Sequence, residues 1–377
     1  MEKRCLGKNK IETSLLGFGC MRLPTTADGK IDEHESFTLF NMAYAAGVNY
    51  YDTAYPYHDG QSEEVLGRWL KTIDRSTVLV ATKNPVWLLK TKGDFFTYLQ
   101  KQLLKLQTPY VDYYLLHAMD NERFEKMVEL GVFDALTLAK EVGIIKHVGF
   151  SFHDELPVFE KILHHYPWDF CQIQLNYMDT EYQAGLAGLH MAKAAGIPVT
   201  VMEPVKGGSL AKAPIEIRKM FDTFHPHWST ASFALRWVGT FLNVQVVLSG
   251  MSTRLQVLDN LSTFTKFIPM ETDEIEMMAT AAEQLRMRIK VPCTACRYCM
   301  PCPYGVDIPV NFSYYNDAYI YENKEKALDR YNNWLDAGER ATACVACQAC
   351  VEKCPQHILI PDRLAEVKQY FEGLDKP

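Results

Sequence analysis

The sequence lacks the features of several large protein classes. No stretch of its 377 residues approaches the run of about 18 apolar residues that a membrane-spanning helix needs, and the first residues, MEKRCLGKNKIETSLLG, contain no apolar core typical of a signal peptide. Positive charge is not in excess either, because 39 Lys and Arg face 46 Asp and Glu for a net charge of -7. We therefore expect a cytoplasmic protein that binds neither nucleic acid nor membranes.

Cysteine is scarce in most of the chain and concentrated at its end. Of the 11 cysteines, only Cys5, Cys20 and Cys171 precede residue 293, and the other eight lie between Cys293 and Cys354. In a reducing compartment, closely spaced cysteines hold metal more often than they form disulfides. With 48% hydrophobic and 23% charged residues, the chain as a whole can bury a full core. We predict two domains, 1–290 and 291–377.

The first domain repeats one pattern eight times. Short apolar or β-branched runs each end in a turn, and amphipathic segments follow; successive run ends lie about 25 to 35 residues apart, the length of a strand, a turn and a returning helix. Eight units without a break predict a closed (β/α)8 (TIM) barrel of the α/β class rather than an open doubly wound sheet. The predicted strands are Leu15–Gly19, Val48–Asp52, Thr77–Lys83, Val111–His117, Ile145–Ser151, Cys171–Leu175, Pro198–Glu203 and Val244–Ser249.

Helices are predicted between these strands, and Gly47, Gly143 and Gly196 stand where three of them should stop in a left-handed conformation. The predicted helices are His34–Ala46, Ser62–Lys71, Gly93–Leu106, Glu122–Lys140, Glu155–His164 and Glu181–Ala195.

Four polar residues follow or end three neighbouring strands. They are Asp52, Tyr57, Lys83 and His117, and catalytic groups of a barrel lie at the carboxyl ends of its strands. A lysine held by an aspartate beside a tyrosine favours the phenolate, so we expect a lowered Tyr57 pKa and a phenol that donates a proton to a carbonyl. The imidazole would orient the carbonyl oxygen.

The segments GVNYYDTAYPYH, VLVATK, DYYLLH, HVGFSFH and CQIQLNY resemble the aldo/keto reductase family, and the resemblance extends over roughly residues 3–267. In that family an Asp, Tyr, Lys and His tetrad supports hydride transfer from a nicotinamide to an aldehyde or ketone. Asp52, Tyr57, Lys83 and His117 match these positions one for one. The resemblance therefore implies an NAD(P)-dependent oxidoreductase that acts on a small carbonyl or alcohol substrate.

The same resemblance implies the cofactor contacts. Two sequence positions depart from the family, because Phe152 replaces a frequent Asn and Met202 replaces a frequent aromatic ring. Family habit favours NADP(H), with NAD(H) as the alternative. The implied contacts are Ser151 and Gln172 for the nicotinamide amide, Glu203, Pro204 and Lys206 for the pyrophosphate loop, Gly250 and Arg254 for the 2′-phosphate region, and Asn260 near the adenine.

The end of the chain carries two cysteine motifs, Cys293-x2-Cys296-x2-Cys299-x2-Cys302-Pro and Cys344-x2-Cys347-x2-Cys350-x3-Cys354-Pro. This end resembles a two-cluster bacterial ferredoxin, here α-rich, and implies two [4Fe–4S] clusters. The ferredoxin pattern implies crossed ligation, with one cluster on Cys293, Cys296, Cys299 and Cys354 and the other on Cys344, Cys347, Cys350 and Cys302. A pair of tetrahedral zinc sites, each held by four cysteines, is the rival interpretation.

The leading hypothesis is thus a hydride-transferring oxidoreductase whose clusters transfer electrons or stabilise the fold, with a ferredoxin-like protein as a candidate redox partner. The alternative is a nicotinamide-binding electron-transfer or redox-sensing protein that turns over no carbonyl. Phe152 and Met202 are the residues that favour this alternative.

Overall fold

The computed structural model describes residues 1–8, 10–293, 295 and 297–374. The chain divides into two compact units. The first contains Met1–Gly207 and Ala231–Ile275, and the second contains Gly208–Thr230 and Glu276–Pro377. Packing thus assigns one inserted segment and part of a helix to the cysteine-rich unit, and the domain boundary after residue 290 stays a prediction.

The first unit is a closed barrel of eight parallel strands. Each strand pairs with its neighbours in chain order, and the last strand pairs with both the first and the seventh, which closes the barrel. This confirms the predicted architecture. The barrel strands are β3 (Leu16–Gly19), β4 (Tyr50–Asp52), β5 (Leu79–Asn84), β6 (Val111–Met119), β7 (Ile145–Phe152), β8 (Phe170–Gln174), β9 (Val199–Met202) and β10 (Val244–Ser249).

Helices alternate with these strands and carry the expected end signals. Thr91 and Asp94 form a capping box at the start of α3, and Gly47, Gly143 and Gly196 have positive φ values after α1, α5 and α7. The helices of the chain are α1 (Glu33–Ala45), α2 (Ser62–Leu70), α3 (Lys92–Leu106), α4 (Asn121–Glu129), α5 (Val132–Glu141), α6 (Leu156–His165), α7 (Gly185–Ala194), α8 (Ile215–Phe224), α9 (Thr230–Thr240), α10 (Arg254–Thr265), α11 (Thr272–Arg286), α12 (Ile308–Ile320), α13 (Lys324–Asn333) and α14 (Ile360–Leu374).

The prediction of a single helix over Glu122–Lys140 is wrong. The structure has two helices there, separated by Gly131, whose φ of 67° lies in the left-handed region that breaks a helix. The hydrophobic period continues through the break, so periodicity alone could not reveal it.

A short antiparallel hairpin precedes the barrel and was absent from the sequence-based prediction. Its strands are β1 (Lys3–Leu6) and β2 (Ile11–Ser14), each only four residues long. The Arg4 guanidinium donates hydrogen bonds to the main-chain carbonyls of Gly239, Phe241 and Val244, which holds the hairpin near the start of β10. Strands this short, with partly exposed faces, give little period-2 signal.

Aromatic side chains fill the barrel interior. Tyr50 and Tyr113 meet edge to face with ring centroids 5.0 Å apart, and Phe170 packs on Tyr113 at 4.9 Å. Val246 and Leu248 of β10 belong to the same buried cluster. The barrel is therefore a filled core, and polar chemistry is left to the ends of its strands.

The second unit has its own core, built mainly from α12, α13 and α14. Phe312 and Val367 are fully buried, and the rings of Tyr331 and Phe371 stack with centroids 4.2 Å apart. Helices α12 and α13 both lie between the two cysteine motifs. The cysteine motifs lie before α12 and between α13 and α14.

Candidate active site and cysteine-lined cavities

A buried ion pair lies at the carboxyl ends of β4 and β5. Lys83 Nζ donates to Asp52 Oδ1 at 2.5 Å and to the main-chain oxygen of Thr53 at 2.8 Å. The two charged side chains are only 1% and 4% exposed. Thr53 contributes a backbone carbonyl, a group that every residue carries, so the sequence held no signal for its role.

Burial opposes both charges of this pair, while its hydrogen bonds suit an ammonium and a carboxylate. Burial acts to lower the pKa of Lys83, but the Asp52 charge and the Tyr57 hydroxyl outweigh it and raise that pKa. Burial raises the pKa of Asp52 above its usual value, and the Lys83 ammonium and the Gln172 amide offset only part of this rise. The ammonium has three hydrogen-bond acceptors, and Asp52 accepts a second hydrogen bond from Gln172 Nε2 at 3.1 Å. An ammonium and a carboxylate are therefore the states that this network satisfies.

Tyr57 lies in the loop between β4 and α2, with its hydroxyl 3.3 Å from Lys83 Nζ. The expected lowering of its pKa is wrong for the chain without ligands. Burial raises the pKa of Tyr57 above its usual value, and the nearby Lys83 charge offsets only part of the effect. The sequence showed the neighbouring charge but not the loss of water. The phenol is consequently held in its protonated, proton-donating form.

His117 belongs to β6 and lies close to Tyr57, with ring centroids 6.1 Å apart, while the Trp87 ring is 5.2 Å away on another side. Burial, reinforced by the Lys83 charge, lowers the pKa of His117 well below its usual value, so the ring is neutral at physiological pH. Its Nδ1 atom is buried and has no hydrogen-bond partner within the described part of the chain. The four predicted tetrad residues thus meet at one end of the barrel.

Ser151 and Gln172 occupy neighbouring register positions on β7 and β8. The Ser151 hydroxyl accepts a hydrogen bond from the Ala118 backbone N–H at 2.7 Å, beside His117. Gln172 donates a hydrogen bond to Asp52, so its side chain is in direct contact with the tetrad. Asn260 is buried in α10 and donates to the Ser249 hydroxyl at 2.8 Å.

The loop after β9 contains Glu203, Pro204 and Lys206. Glu203 and Lys206 both have positive φ values, and the Lys206 N–H donates to the Glu203 carbonyl at 2.9 Å, which closes a tight turn. The Lys206 ammonium binds Asp179 Oδ2 at 2.5 Å. The lysine expected near a pyrophosphate is thus held by a carboxylate in the chain alone.

Arg254, the basic residue expected near a 2′-phosphate, is likewise paired with an acidic side chain. Arg254 donates two hydrogen bonds to Glu35 of α1, at 2.9 and 2.7 Å. Gly250 directly follows β10, and a Cβ placed there would come within 2.9 Å of the Arg22 side chain. Arg22 is exposed and is a basic neighbour that the sequence analysis missed, because it lies more than 200 residues away in the chain.

Phe152 and Met202, the two departures from the family pattern, end β7 and β9. Phe152 is fully buried and packs on Phe159 of α6 with ring centroids 5.2 Å apart. The ring therefore faces the helix layer and substitutes packing for the polar contact that an asparagine would make. Met202 is partly buried and packs against the barrel core.

The cysteines of the second unit line two separate openings. The first is lined by Cys293, Cys299 and Cys354, and the second by Cys302, Cys344, Cys347 and Cys350. Each opening therefore takes one cysteine from the other motif. Cys296 lies outside the described residues.

Among the residues that are described, no three His, Cys, Asp or Glu side chains are arranged to hold a single metal ion. The ligand roles of the cysteines are taken up below as a proposal.

Two described positions in each cysteine motif have the same left-handed φ. Ala295 and Arg297 in the first motif, and Ala346 and Gln348 in the second, have φ values between 55° and 65°. These positions are equivalent in the sequence, directly before and after the second cysteine of each motif. Left-handed residues within such a turn can point successive N–H groups into one concavity, which suits an anionic inorganic group. Non-glycine residues tolerate this conformation at a cost, so its repetition indicates a constrained site.

Two asparagines of α12 hold the segments that lead into the motifs. Asn316 accepts from the Val291 N–H at 2.9 Å and donates to the Val291 carbonyl at 2.8 Å. Asn311 accepts from the Ala341 N–H at 2.7 Å and donates to the Glu339 carbonyl at 2.8 Å. One helix thus fixes the approach to both cysteine loops.

A closed parallel barrel with an acid, a phenol, an amine and an imidazole at its strand ends, joined to a cysteine-rich helical unit, defines an oxidoreductase of the barrel type with an iron–sulfur domain. The comparisons with known proteins give the family. A sequence model of the aldo/keto reductase family matches residues 15–283, and a model of the 4Fe-4S dicluster domain matches residues 292–359. The chain belongs to the aldo/keto reductase family and carries a C-terminal 4Fe-4S domain.

Similar curated proteins differ in how much they share. L-galactose dehydrogenase of Arabidopsis thaliana is 26% identical over 297 residues, 73% of this chain and 91% of that protein. NADH-specific methylglyoxal reductase of Escherichia coli is 24% identical over 332 residues, 76% of this chain and 99% of that protein. The match to the uncharacterized oxidoreductase YqkF of Bacillus subtilis is 29% identical and spans only 49% of that protein.

Solved structures agree on the fold. The holo form of an aldo-keto reductase from Bacillus halodurans is 24% identical, with a TM-score of 0.63, and the match covers 74% of this chain and 96% of that one. No helix in the described part of the chain is both long and apolar enough to span a bilayer.

Proposed function

We propose that the chain reduces an aldehyde or ketone with a nicotinamide nucleotide, or oxidises the corresponding alcohol, and that its second unit binds two [4Fe–4S] clusters in the cytoplasm. The observation that carries the first part is the contact of Tyr57 with Lys83, itself paired with buried Asp52. A bound nicotinamide nucleotide would supply the hydride that the carbonyl carbon receives.

The chain's own residues handle the proton. Tyr57 holds the proton on its hydroxyl and delivers it to the carbonyl oxygen as negative charge develops there. The Lys83 ammonium, 3.3 Å away, stabilises the phenolate that remains, and Asp52 keeps that ammonium charged and in place. His117 is neutral, so one ring nitrogen offers an N–H to orient the oxygen without competing as an acid.

The mouth fits a nicotinamide. The Ser151 hydroxyl accepts from Ala118 and keeps its own proton to donate, and Gln172 is fixed beside it through Asp52. Lys206 and Arg254 are basic groups for the phosphates, and each would exchange a carboxylate for a phosphate oxygen. With Arg254 paired to Glu35, the preference for NADP(H) over NAD(H) is expected to be small.

The cysteine openings fit iron–sulfur clusters. Four thiols, Cys302, Cys344, Cys347 and Cys350, line the second opening, which matches the ligand number of one cubane. Cys293, Cys299 and Cys354 line the first, with Cys296 as the fourth ligand by sequence. Such clusters would supply one-electron transfer, and a ferredoxin-like protein is the corresponding class of partner.

The reductase activity is tested anaerobically with a panel of aldehydes and ketones and both reduced nucleotides. Wild type should oxidise nucleotide only when a carbonyl is present, and Tyr57→Phe should lose this activity while keeping its nucleotide affinity and iron content. Turnover retained by Tyr57→Phe would contradict the tetrad assignment. Tight nucleotide binding without turnover of any carbonyl would favour the electron-transfer alternative, for which the buried Phe152 is the structural argument.

The cluster assignment is tested by iron and acid-labile sulfide per chain in protein purified anaerobically, where two clusters require about eight of each. Cys354→Ala should remove the signal of the cluster held by the first motif, and Cys302→Ala that of the other. If each substitution instead removes the cluster of its own motif, the crossed ligation is wrong. Zinc without sulfide would overturn the cluster assignment.

A further inference from the structure

A buried carboxylate outside the tetrad links the two elements that carry Tyr57 and Lys83. Glu63 is the second residue of α2, directly after the Tyr57 loop, and its side chain is fully buried. Its Oε1 accepts from the Thr82 hydroxyl at 2.6 Å and from Gln102 Nε2 at 2.7 Å. Thr82 is the neighbour of Lys83 in β5, so the carboxylate spans from the tyrosine loop to the lysine strand.

The network around this carboxylate holds three consecutive residues of β5. Gln102 Nε2 also donates to the Lys83 carbonyl at 3.0 Å, and its Oε1 accepts from the Tyr114 hydroxyl at 2.7 Å. Asn84 in turn donates to that hydroxyl at 2.9 Å. Because side chains alternate along a strand, Thr82 and Asn84 face the helices while Lys83 faces the barrel interior. The outer hydrogen bonds therefore fix the base of the lysine side chain.

The other end of the link is equally restrained. The Ser62 hydroxyl lies 2.9 Å from the Thr53 hydroxyl at the end of β4 and donates to the Cys20 carbonyl at 3.0 Å. The Ser62 N–H donates to the Tyr57 carbonyl at 3.2 Å. Both ends of the tyrosine loop are thus attached to barrel strands, and Glu63 is the charged group of this attachment.

Burial makes the ionised form of the Glu63 carboxyl group energetically unfavourable. Burial raises the pKa of Glu63, with Thr82, Gln102, Lys105 and Lys83 opposing the effect, and an uncharged hydrogen-bonding residue would cost less to bury. Its Oε2 has no hydrogen-bond partner in the described residues and lies 3.9 Å from Lys105 Nζ. The chemistry proposed for the tetrad does not use this group directly.

We propose that Glu63 is a positioning residue that fixes the distance between the Tyr57 hydroxyl and Lys83 Nζ by joining the Tyr57 loop to β5. This inference rests on the proposed function, in which proton donation depends on that distance. Catalytic groups displaced by about 1 Å lose much of their effect on the rate, whereas nucleotide affinity depends on other strand ends.

The test compares three variants in the holoenzyme. Glu63→Ala should lower kcat about tenfold or more, with the nucleotide dissociation constant and substrate KM changed by less than about twofold. Glu63→Gln keeps an oxygen acceptor for Thr82 and Gln102 and should stay within about threefold of wild type. Glu64→Ala removes the exposed neighbouring glutamate and serves as the control that should match wild type. If Glu63→Ala does not fold, Thr82→Val, which cuts the same link at similar volume, replaces it.

A second readout does not depend on turnover. The ionisation of Tyr57 is followed by NMR of 13C-labelled tyrosine, with its signal assigned by its loss in Tyr57→Phe. Both Glu63 variants remove the charge, so a higher Tyr57 pKa in Glu63→Ala than in Glu63→Gln, by about half a unit or more, reports a more distant Lys83 ammonium. Equal values, unchanged kcat in Glu63→Ala, or nucleotide affinity that falls in parallel with kcat would each overturn the proposal. Wild type without carbonyl turnover would refute the proposed function alone, because the NMR comparison still tests the link.

Discussion

Replacing Lys83 with methionine should destabilise the barrel far more than a surface substitution of the same kind. At 2.5 Å and an effective dielectric constant of about 20, the Asp52–Lys83 attraction is about 7 kcal/mol, which offsets a desolvation cost of several kcal/mol for each ion. The intact pair therefore contributes little net stability. Without the ammonium, however, Asp52 is a buried charge with no ionic partner, and we expect Lys83→Met to lower the free energy of unfolding by about 3–5 kcal/mol.

The assay is urea unfolding followed by tryptophan fluorescence, since four of the six tryptophans lie in the first unit. The control is Lys92→Met, which breaks an exposed pair with Asp134 and should cost less than about 1 kcal/mol. The double variant Lys83→Met/Asp52→Asn removes both charges and should be more stable than the sum of the single changes implies, by about 3 kcal/mol.

The pH dependence gives an independent sign. Without Lys83, nothing ionic opposes the burial that raises the pKa of Asp52, so the folded carboxyl binds a proton at a pH where the unfolded carboxyl has lost it. Stability contributed in this way is present at low pH and is lost as the pH rises through the folded pKa. The deficit of Lys83→Met relative to wild type should therefore shrink on acidification. A deficit that is small, additive with Asp52→Asn, or constant with pH would refute the buried ion pair.

Three other predictions rest on named contacts. His117 is held neutral with a lowered pKa, so the stability it contributes is present above its unfolded pKa near 6.5 and declines below that pH. His117→Asn should therefore reduce the slope of the free energy of unfolding against pH, on the acid side, by up to about 1.4 kcal/mol per pH unit. An unchanged slope would contradict a buried neutral ring. Glu35→Gln should release Arg254 and raise the ratio of kcat/KM for NADPH over NADH about tenfold, whereas an unaltered ratio would remove Arg254 from the phosphate site. Gly67→Ala would place a Cβ 2.2 Å from a backbone oxygen at the end of α3, so we expect it to lower the free energy of unfolding by about 1–3 kcal/mol or more and to lower the urea midpoint accordingly. Gly93→Ala, whose Cβ would have its nearest atom at 3.7 Å, should leave the midpoint unchanged. Equal midpoints for the two variants would show that α2 and α3 can move apart to admit the Cβ.

The resemblance to the ferredoxins implied a crossed set of eight cysteines, and seven of them, all but Cys296, line two openings that divide in the same crossed way. Cys354 lines the first opening and Cys302 the second, although each is separated in the sequence from most of its companions. The short spacing before Cys302 gave no reason to expect this by itself. The position follows from the fold of the second unit, in which α12 holds the start of both cysteine loops through Asn311 and Asn316.

The sequence by itself determined the eight-strand barrel, because apolar runs, turn glycines and helix caps are local signals that repeat along the chain. It also predicted that Asp52, Tyr57, Lys83 and His117 lie close together, because they end or follow strands whose carboxyl ends meet in a closed barrel. The tertiary structure alone decided the electrostatics. Burial reversed the expected direction of the Tyr57 pKa, Glu35 and Asp179 paired the two expected phosphate-binding cations, and Glu63 joined the tyrosine loop to the lysine strand. Solvent exclusion and contacts between residues far apart in the sequence set these properties, and local sequence patterns carry no information about either.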